Sequence, residues 1–221
     1  MRHQTAVWLA PLVLALSALL PGYACAKQAT AVTTSSDRAA PPSAAKEFAS
    51  YIVQSADHGG LPFAVVDKQA AMLMVYRRDG VLAGVSTVLL GLTPGDRSNP
   101  GVGARTQDGQ LTAADRTTPA GRFESEPGRN LSGEHVVWID YADALAIHRL
   151  RPAPSAEQRV KRMASAHPRD KRISAGCVVV PESFYDGIIR PVLGTGPAVV
   201  YVRPENSDWS QLWKNLTTTA L

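Results

Sequence analysis

From residue 63 onward the chain is cut into short apolar runs separated by turn residues, and this spacing constrains the fold more than any other feature. Phe63-Ala64-Val65-Val66-Asp67-Lys68 and Ala71-Met72-Leu73-Met74-Val75-Tyr76 flank a tight turn near Gln69. Asp79-Gly80 is a strong hairpin signal and leads into a run from Leu82 to Leu90. In a two-residue hairpin turn the backbone needs positive φ, which Asp-Gly supplies at low cost. Three strands with two short connections form a meander. Thr118-Pro119-Ala120-Gly121-Arg122-Phe123 turns into a further strand. His135 to Tyr141 and Ala144 to Arg149 form a pair joined at Ala142-Asp143, and Gly176 to Val180 and Pro197 to Val202 complete the set. The expectation is a mainly β domain.

Helices are few. Ser43 can cap a short helix with Phe48, Tyr51, Ile52 and Ser55 on one face, ended by Asp57-His58-Gly59-Gly60. Residues 155–164 read as helical, with Ser155 as cap and Val160 and Met163 as a small apolar face. Pro181 starts a helix whose inner side carries Phe184, Tyr185, Ile188 and Ile189, and Gly194-Thr195-Gly196 ends it. Residues 91–117 lack a clear period. An irregular stretch of that length inside a domain is usually a lid, a binding loop or a mobile excursion. Trp209 and Trp213 mark a short amphipathic tail.

Arg2, the apolar run from Ala6 to Leu20, the Pro21-Gly22 break and Ala24-Cys25-Ala26 follow the three-part pattern of a secretory signal. The run is short for a membrane span. Cleavage after Ala26 is the leading expectation. Lipidation at Cys25 and an uncleaved anchor are the alternatives, and either would keep the protein near a membrane. The organisation expected is a signal peptide at 1–26, a flexible Ala/Thr/Ser/Pro linker at 27–44, a single folded domain at 45–205 and a C-terminal tail at 206–221. The formal charge is +4. A basic exported protein suits a polyanionic envelope, and export argues against nucleic acid as a partner.

The chain has two cysteines, Cys25 and Cys177. If the signal is removed, Cys177 is left as a lone thiol, which is a buried small hydrophobe, an intermolecular bridge or a nucleophile. It stands in Arg172-Ile173-Ser174-Ala175-Gly176-Cys177-Val178, a small-residue turn that opens an apolar strand, and that placement favours the nucleophile. An acyl-transferring thiol needs a base, oxyanion donors and a clamped substrate. His148 ends an apolar strand 29 residues before Cys177 and is the candidate base. His167, in a Pro-flanked loop, is its rival; His58 and His135 are less well placed. Successive backbone amides of the turn can meet an oxyanion, and Gly176 permits the close approach.

Ile147-His148 and Ser174-x-Gly176-Cys177-Val178 resemble the motifs of the L,D-transpeptidase catalytic domain family, with its YkuD fold. The resemblance extends over the opening hairpin from Val66 to Tyr76, Gly80, Leu89-Leu90-Gly91, Thr118 to Phe123 and Ser183-Phe184-Tyr185, most of residues 62–203. It implies a β-sandwich with a few short helices. Its chemistry is a two-step acyl transfer: Cys177 attacks a peptidoglycan stem tetrapeptide, forms a thioester and passes the acyl group to an amine acceptor. Water as acceptor gives carboxypeptidase activity. By the same resemblance His148 is the base, Gly176 and Cys177 amides hold the oxyanion, Ser174 orients the histidine or the turn, and no cofactor or metal is needed. The site of action implied is the periplasm or cell envelope.

Three departures stand out, the first a gap from His148 to Cys177 that is longer than usual in the family and is filled by a basic helix. Ala175 replaces the family's usual second histidine, and Val179 stands where Asn or Arg is common. A non-catalytic or hydrolytic peptidoglycan-binding member of the same fold is therefore the alternative. Between Arg149 and Arg172 there are eight positive residues against Glu157 and Asp170, a net of +6. This is either a solvated face or an electrostatic lid attracting stem-peptide carboxylates. Arg149 and Arg172, which flank the catalytic motifs, are the substrate-binding candidates. Trp138 and Tyr141 read as core or rim.

Overall fold

The computed structural model describes residues 43–205 and Trp209. The expected signal peptide, nearly all of the linker and most of the tail, including Trp213, lie outside the described residues. Among the described residues no helix is long and apolar enough to cross a membrane.

Helix α1 is Ser43–Ser55. Its Ala45, Phe48, Ala49 and Ile52 recur at helical spacing and are buried, whereas Ser55 is exposed and bonds the carbonyls of Tyr51 and Ile52. Ser55 therefore belongs to the end of the helix and not to its buried face. Strands β1 (Phe63–Asp67), β2 (Met72–Tyr76) and β3 (Leu82–Thr87) form the expected antiparallel meander. The run to Leu90 is not one strand. It breaks after Thr87, and β4 (Leu90–Gly91) leaves to pair in parallel with a later strand, β8 (Arg172–Ser174).

The irregular excursion after β4 contains α2 (Val102–Gln107) and a 3-10 turn at Ala113–Asp115. It is tied down at both ends. Asp115 accepts from the Thr112 amide and hydroxyl, from Asn99 Nδ2 and from the Arg105 guanidinium. The Arg105 bonds, ahead of those from Thr112, hold its carboxyl well below the usual carboxylate range. Fully buried Lys68 donates to Gly95 O, Asp96 Oδ1 and Thr118 O at 2.6, 2.6 and 3.0 Å. Gly103 lets α2 lie against the chain elsewhere: a Cβ there would stand 1.8 Å from Ala142 O.

Then come β5 (Gly121–Arg129), β6 (His135–Asp140), β7 (Leu145–Arg149), α3 (Arg159–Ala164), β9 (Val178–Val180) and β10 (Ala198–Val202). The helix expected over 155–164 is interrupted. A 3-10 turn over Ser155–Glu157 and α3 are separated by Gln158 at φ 47°, so Ser155 caps nothing. Of its expected apolar face, Met163 is buried and Val160 is 73% exposed. After Pro181 the helical run passes from α4 (Glu182–Phe184) through a π turn (Tyr185–Ile189) to α5 (Arg190–Val192).

The strand order is β3-β2-β1-β10-β5-β6-β7-β9, with β4-β8 apart. Long β5 belongs to two halves: Gly121–Ser125 pairs with β10, and Glu126–Arg129 pairs with β6. Strands that pass from one sheet to another form the corners of sandwiches. The halves meet over one core, with Val66, Leu73 and Val200 from the first and Val137, Ile147 and Val178 from the second. Tyr185, Ile189 and Leu193 of the helical run close it. The outer face of the first half is covered by α1, where Phe48 and Ile52 meet Phe63, Met74 and Tyr201. Each large apolar side chain buried this way contributes about 1.5–3 kcal/mol relative to exposure. The architecture is mainly β with a few short helices, as the sequence indicates.

Candidate active site

Strand alternation decides what faces outward from the second half. In β6 and β7 the odd-numbered Val137, Ile139, Leu145 and Ile147 point into the core. Val136, Trp138, Ala146 and His148 therefore share the opposite face, where they line a cleft of about 420 Å³ together with Cys177. Strands β7 and β9 are parallel, with Ile147 beside Val178 and His148 beside Val179. One step back along this register sets Ala146 beside Cys177. The histidine and the thiol, far apart in sequence, thus open onto one cavity.

The turn carrying Cys177 is rigidly braced. Ser174 Oγ donates to Cys177 O at 2.7 Å and accepts the Gly176 amide at 3.1 Å. Thr118 Oγ1, fully buried, donates to Gly176 O at 2.7 Å and accepts the Gly91 amide at 2.9 Å. The Arg116 guanidinium donates to the carbonyls of Ile173 and Ser174. Gly176 has φ 134°, and a Cβ on it would stand 2.9 Å from Thr117 O. Only glycine fits both the backbone angle and the space.

His148 is half-buried, and its Nδ1 lies 2.8 Å from Arg149 O. A carbonyl only accepts, so Nδ1 carries the proton and the neutral ring keeps Nε2 as a base. Burial lowers the imidazole pKa to about 4; Arg151 and Arg159 push the same way, against the Arg149 carbonyl and Glu134. The Cys177 thiol is half-buried, with Sγ 3.6 Å from Ala144 O. Burial pushes the thiol up, opposed by the backbone of Ala146 and of Cys177 itself and by the charges of Arg151 and Arg159. At neutral pH the two groups stand as thiol and imidazole, not as an ion pair.

Around them Trp138 and exposed Tyr141 form a wall, their ring centroids 5.1 Å apart and inclined at 77°. Thr106 and Gln107 enter from α2, Arg129 and Leu131 from the β5–β6 hairpin, and Arg151 from the chain just past β7.

The residues expected at the site divide. Cys177 and His148 both line the cleft, and Ser174 and Gly176 build the turn that carries the thiol. The Gly176 amide is engaged by Ser174 Oγ, so it is not a ready oxyanion donor. Ser174 orients the turn and makes no bond to the histidine. Arg149 and Arg172, the expected substrate-binding residues, do not line the cleft. Arg149 follows His148 in an extended strand and so takes the opposite side. There it stands 3.7 Å from Glu182 and 3.4 Å from Asp186, with its guanidinium 5.3 Å from the Tyr185 ring centroid. Arg172 donates to Lys68 O and, at 2.5 Å, to Glu205.

The rival histidines lie away from the cleft. His167 is exposed ahead of a 3-10 turn. The His135 ring lies between the Tyr185 hydroxyl and Gly194 O, and His58 Nδ1 bonds Leu61 O. Ala175 is exposed, and Val179 is packed with Leu89 and Met163. Sequence reasoning missed Arg151, Arg129 and the α2 wall. Alternation along β7 was a signal against Arg149; nothing local marked Arg151.

A mainly β sandwich with a cysteine and a histidine on the outer face of one half is the class that fold and site define. Its architecture resembles L,D-transpeptidase catalytic domains. A structure of the Ldtfm–avibactam carbamoyl enzyme is similar at a TM-score of 0.39 and 19% identity, covering 65% of this chain and 49% of that one. The NMR structure of the catalytic domain of an L,D-transpeptidase from E. faecium is similar at a TM-score of 0.35 and 18% identity, covering 64% of this chain and 95% of that one. The chain thus spans about half the length of the first of these. At these identities and TM-scores no residue's role follows from the likeness. No protein-family model matches the chain, and no curated protein does.

Proposed function

We propose that this protein is an exported cysteine acyltransferase of the L,D-transpeptidase type, acting on peptidoglycan stem tetrapeptides in the periplasm or cell envelope. The observation that carries the reading is the opening of Cys177 and His148 onto one cleft, with His148 Nδ1 tied to Arg149 O so that Nε2 is left as the base. The stem-peptide substrate is what the resemblance of Ser174-x-Gly176-Cys177 and its ordered upstream elements to the L,D-transpeptidase family implies.

In the first step Cys177 Sγ attacks the carbonyl carbon of the third stem residue while His148 Nε2 takes the thiol proton. The C–N bond to the terminal residue then breaks, and the leaving amine receives that proton. The thioester is next attacked by an amine, which forms the new amide, loses its proton to His148 and returns the thiol. Neutral partners suit this order, because the proton is transferred as the nucleophile attacks and no thiolate need be stored. The Cys177 amide is the oxyanion donor that the turn leaves for this role, and Ser174 holds its angle.

Purified disaccharide-tetrapeptides incubated with the protein should give cross-linked dimers by mass. Tripeptide alone would make it a carboxypeptidase, and no product would make it a binder. A carbapenem should add covalently to the wild type, as the motif resemblance implies, and not to Cys177→Ala. An adduct retained in that variant, or absent from the wild type, overturns the reading.

A further inference from the structure

Arg151 is placed differently from the other cations of the basic stretch between Arg149 and Arg172. It lines the Cys177–His148 cleft, and its charge is felt by both the thiol and the imidazole. Among the described residues its guanidinium meets one carboxylate, that of Glu134, with the buried Nε 2.5 Å from Oε2. The cleft's other guanidinium, Arg129, is exposed and donates to Gly133 O within its own hairpin.

We propose that Arg151 is a substrate-binding residue that receives the terminal carboxylate of the acyl donor's leaving residue, and that Glu134 is the internal carboxylate for which it is exchanged. This rests on the reading of the cleft as an acyl-transfer site. A planar guanidinium binds a carboxylate through two parallel hydrogen bonds, a geometry that a lysine cannot offer. The Glu134 side chain is 38% exposed and that of Arg151 is 31% exposed. Ion pairs with this much solvent contribute roughly 0–1 kcal/mol, so an incoming carboxylate displaces Glu134 at small cost. Glu134 does not depend on Arg151 for its position: its amide donates to Asn130 Oδ1 at 3.0 Å, and its carboxylate accepts from Asn130 Nδ2 at 3.3 Å. The hairpin keeps its form when the pair opens. In a peptide cleaved before its last residue, the free carboxylate lies one residue beyond the scissile carbonyl. A cation on the wall of the cleft into which the sulfur opens is placed to receive that group.

The test is binding, read by calorimetry on the Cys177→Ala protein, so that it does not depend on turnover. The probes are a stem tetrapeptide with a free C-terminal carboxylate and the same peptide as its C-terminal carboxamide. Charged hydrogen bonds of this kind predict about ten- to a hundredfold preference for the acid. Arg151→Gln should reduce the preference to near unity by weakening the acid alone, and Arg151→Lys should retain part of it. Glu134→Gln should tighten the acid severalfold and leave the amide unchanged, a response that a merely structural pair would not give. Equal loss for both peptides in Arg151→Gln overturns the proposal. So does weaker acid binding in Glu134→Gln, or a parent protein that binds neither peptide or does not distinguish them. Discrimination without turnover in the wild type would sink the acyl-transfer reading and leave only carboxylate recognition by Arg151 standing; turnover without discrimination would sink the role of Arg151 and leave acyl transfer.

Discussion

His148 holds its ring proton on Nδ1 and has a pKa near 4 through burial, so Nε2 is free to act as a base well below neutral pH. Two measurable consequences follow. The acid limb of kcat/KM should fall near pH 4–5, not near 6.5, because the base is lost only when the buried ring is protonated. His148→Ala should lower the rate by roughly two to four orders of magnitude, whereas His167→Ala should change it little. A limb near 6.5, or the opposite ranking of the two histidines, would remove His148 from the role. Stability shifts by the same group. The unfolded chain takes the proton first, near the ordinary 6.5, and the folded chain only near 4. The histidine's contribution is thus intact above pH 6.5 and is lost as pH falls toward 4, by on the order of 3 kcal/mol at most. Melting temperature followed over that window should decline less in His148→Gln than in the wild type.

The unit that presents Cys177 is the β8–turn–β9 element together with the strand and loop that brace it. Its geometry depends on Gly176 at φ 134° and on Thr118, whose hydroxyl spans Gly91 N and Gly176 O. Gly176→Ala should cost about 1–3 kcal/mol from backbone strain alone, with the contact to Thr117 O adding to it. Thr118→Val keeps the shape but strands a buried amide, at a cost of about 1–3 kcal/mol. Urea midpoints measure both. If Thr118→Val leaves the midpoint unchanged, the brace has been misidentified. Ala175, by contrast, is exposed in the same turn. Ala175→His should therefore fold as well as the wild type, and a melt lowered by many degrees would show instead that the position is packed.

Across the whole molecule, α1 and the cleft lie on opposite outer faces of the sandwich, separated by both halves and their shared core. Phe48 anchors the α1 side, with ring centroids 5.9 Å from Tyr201 and 4.8 Å from Trp209. Phe48→Ala should cost about 3–5 kcal/mol. The folded fraction, measured well below the midpoint, should keep its affinity for a cleft ligand. Affinity lost in parallel with stability would mean that the two faces are coupled.

The meander, the His135–Asp140 and Leu145–Arg149 pair and the helix after Pro181 were legible because alternation, turn chemistry and proline act over a few residues. Cys177 and His148 stood out for the same reason, through a lone thiol in a small-residue turn and a histidine at a strand end. Three features were decided only by long-range contacts. Leu90–Gly91 leaves the meander because β8, some 80 residues later, offers it a partner, and no local signal announces a parallel pairing. The division of the basic stretch depends on strand parity and on what each face meets. Arg149 turns toward Tyr185 and Glu182, Arg172 toward Glu205, and Arg151 toward the cleft, although composition makes them alike. The protonation of His148 and Cys177 is likewise not written in their neighbours along the chain. Burial by other elements sets it, because desolvation depends on everything packed within a few ångströms and not on sequence position.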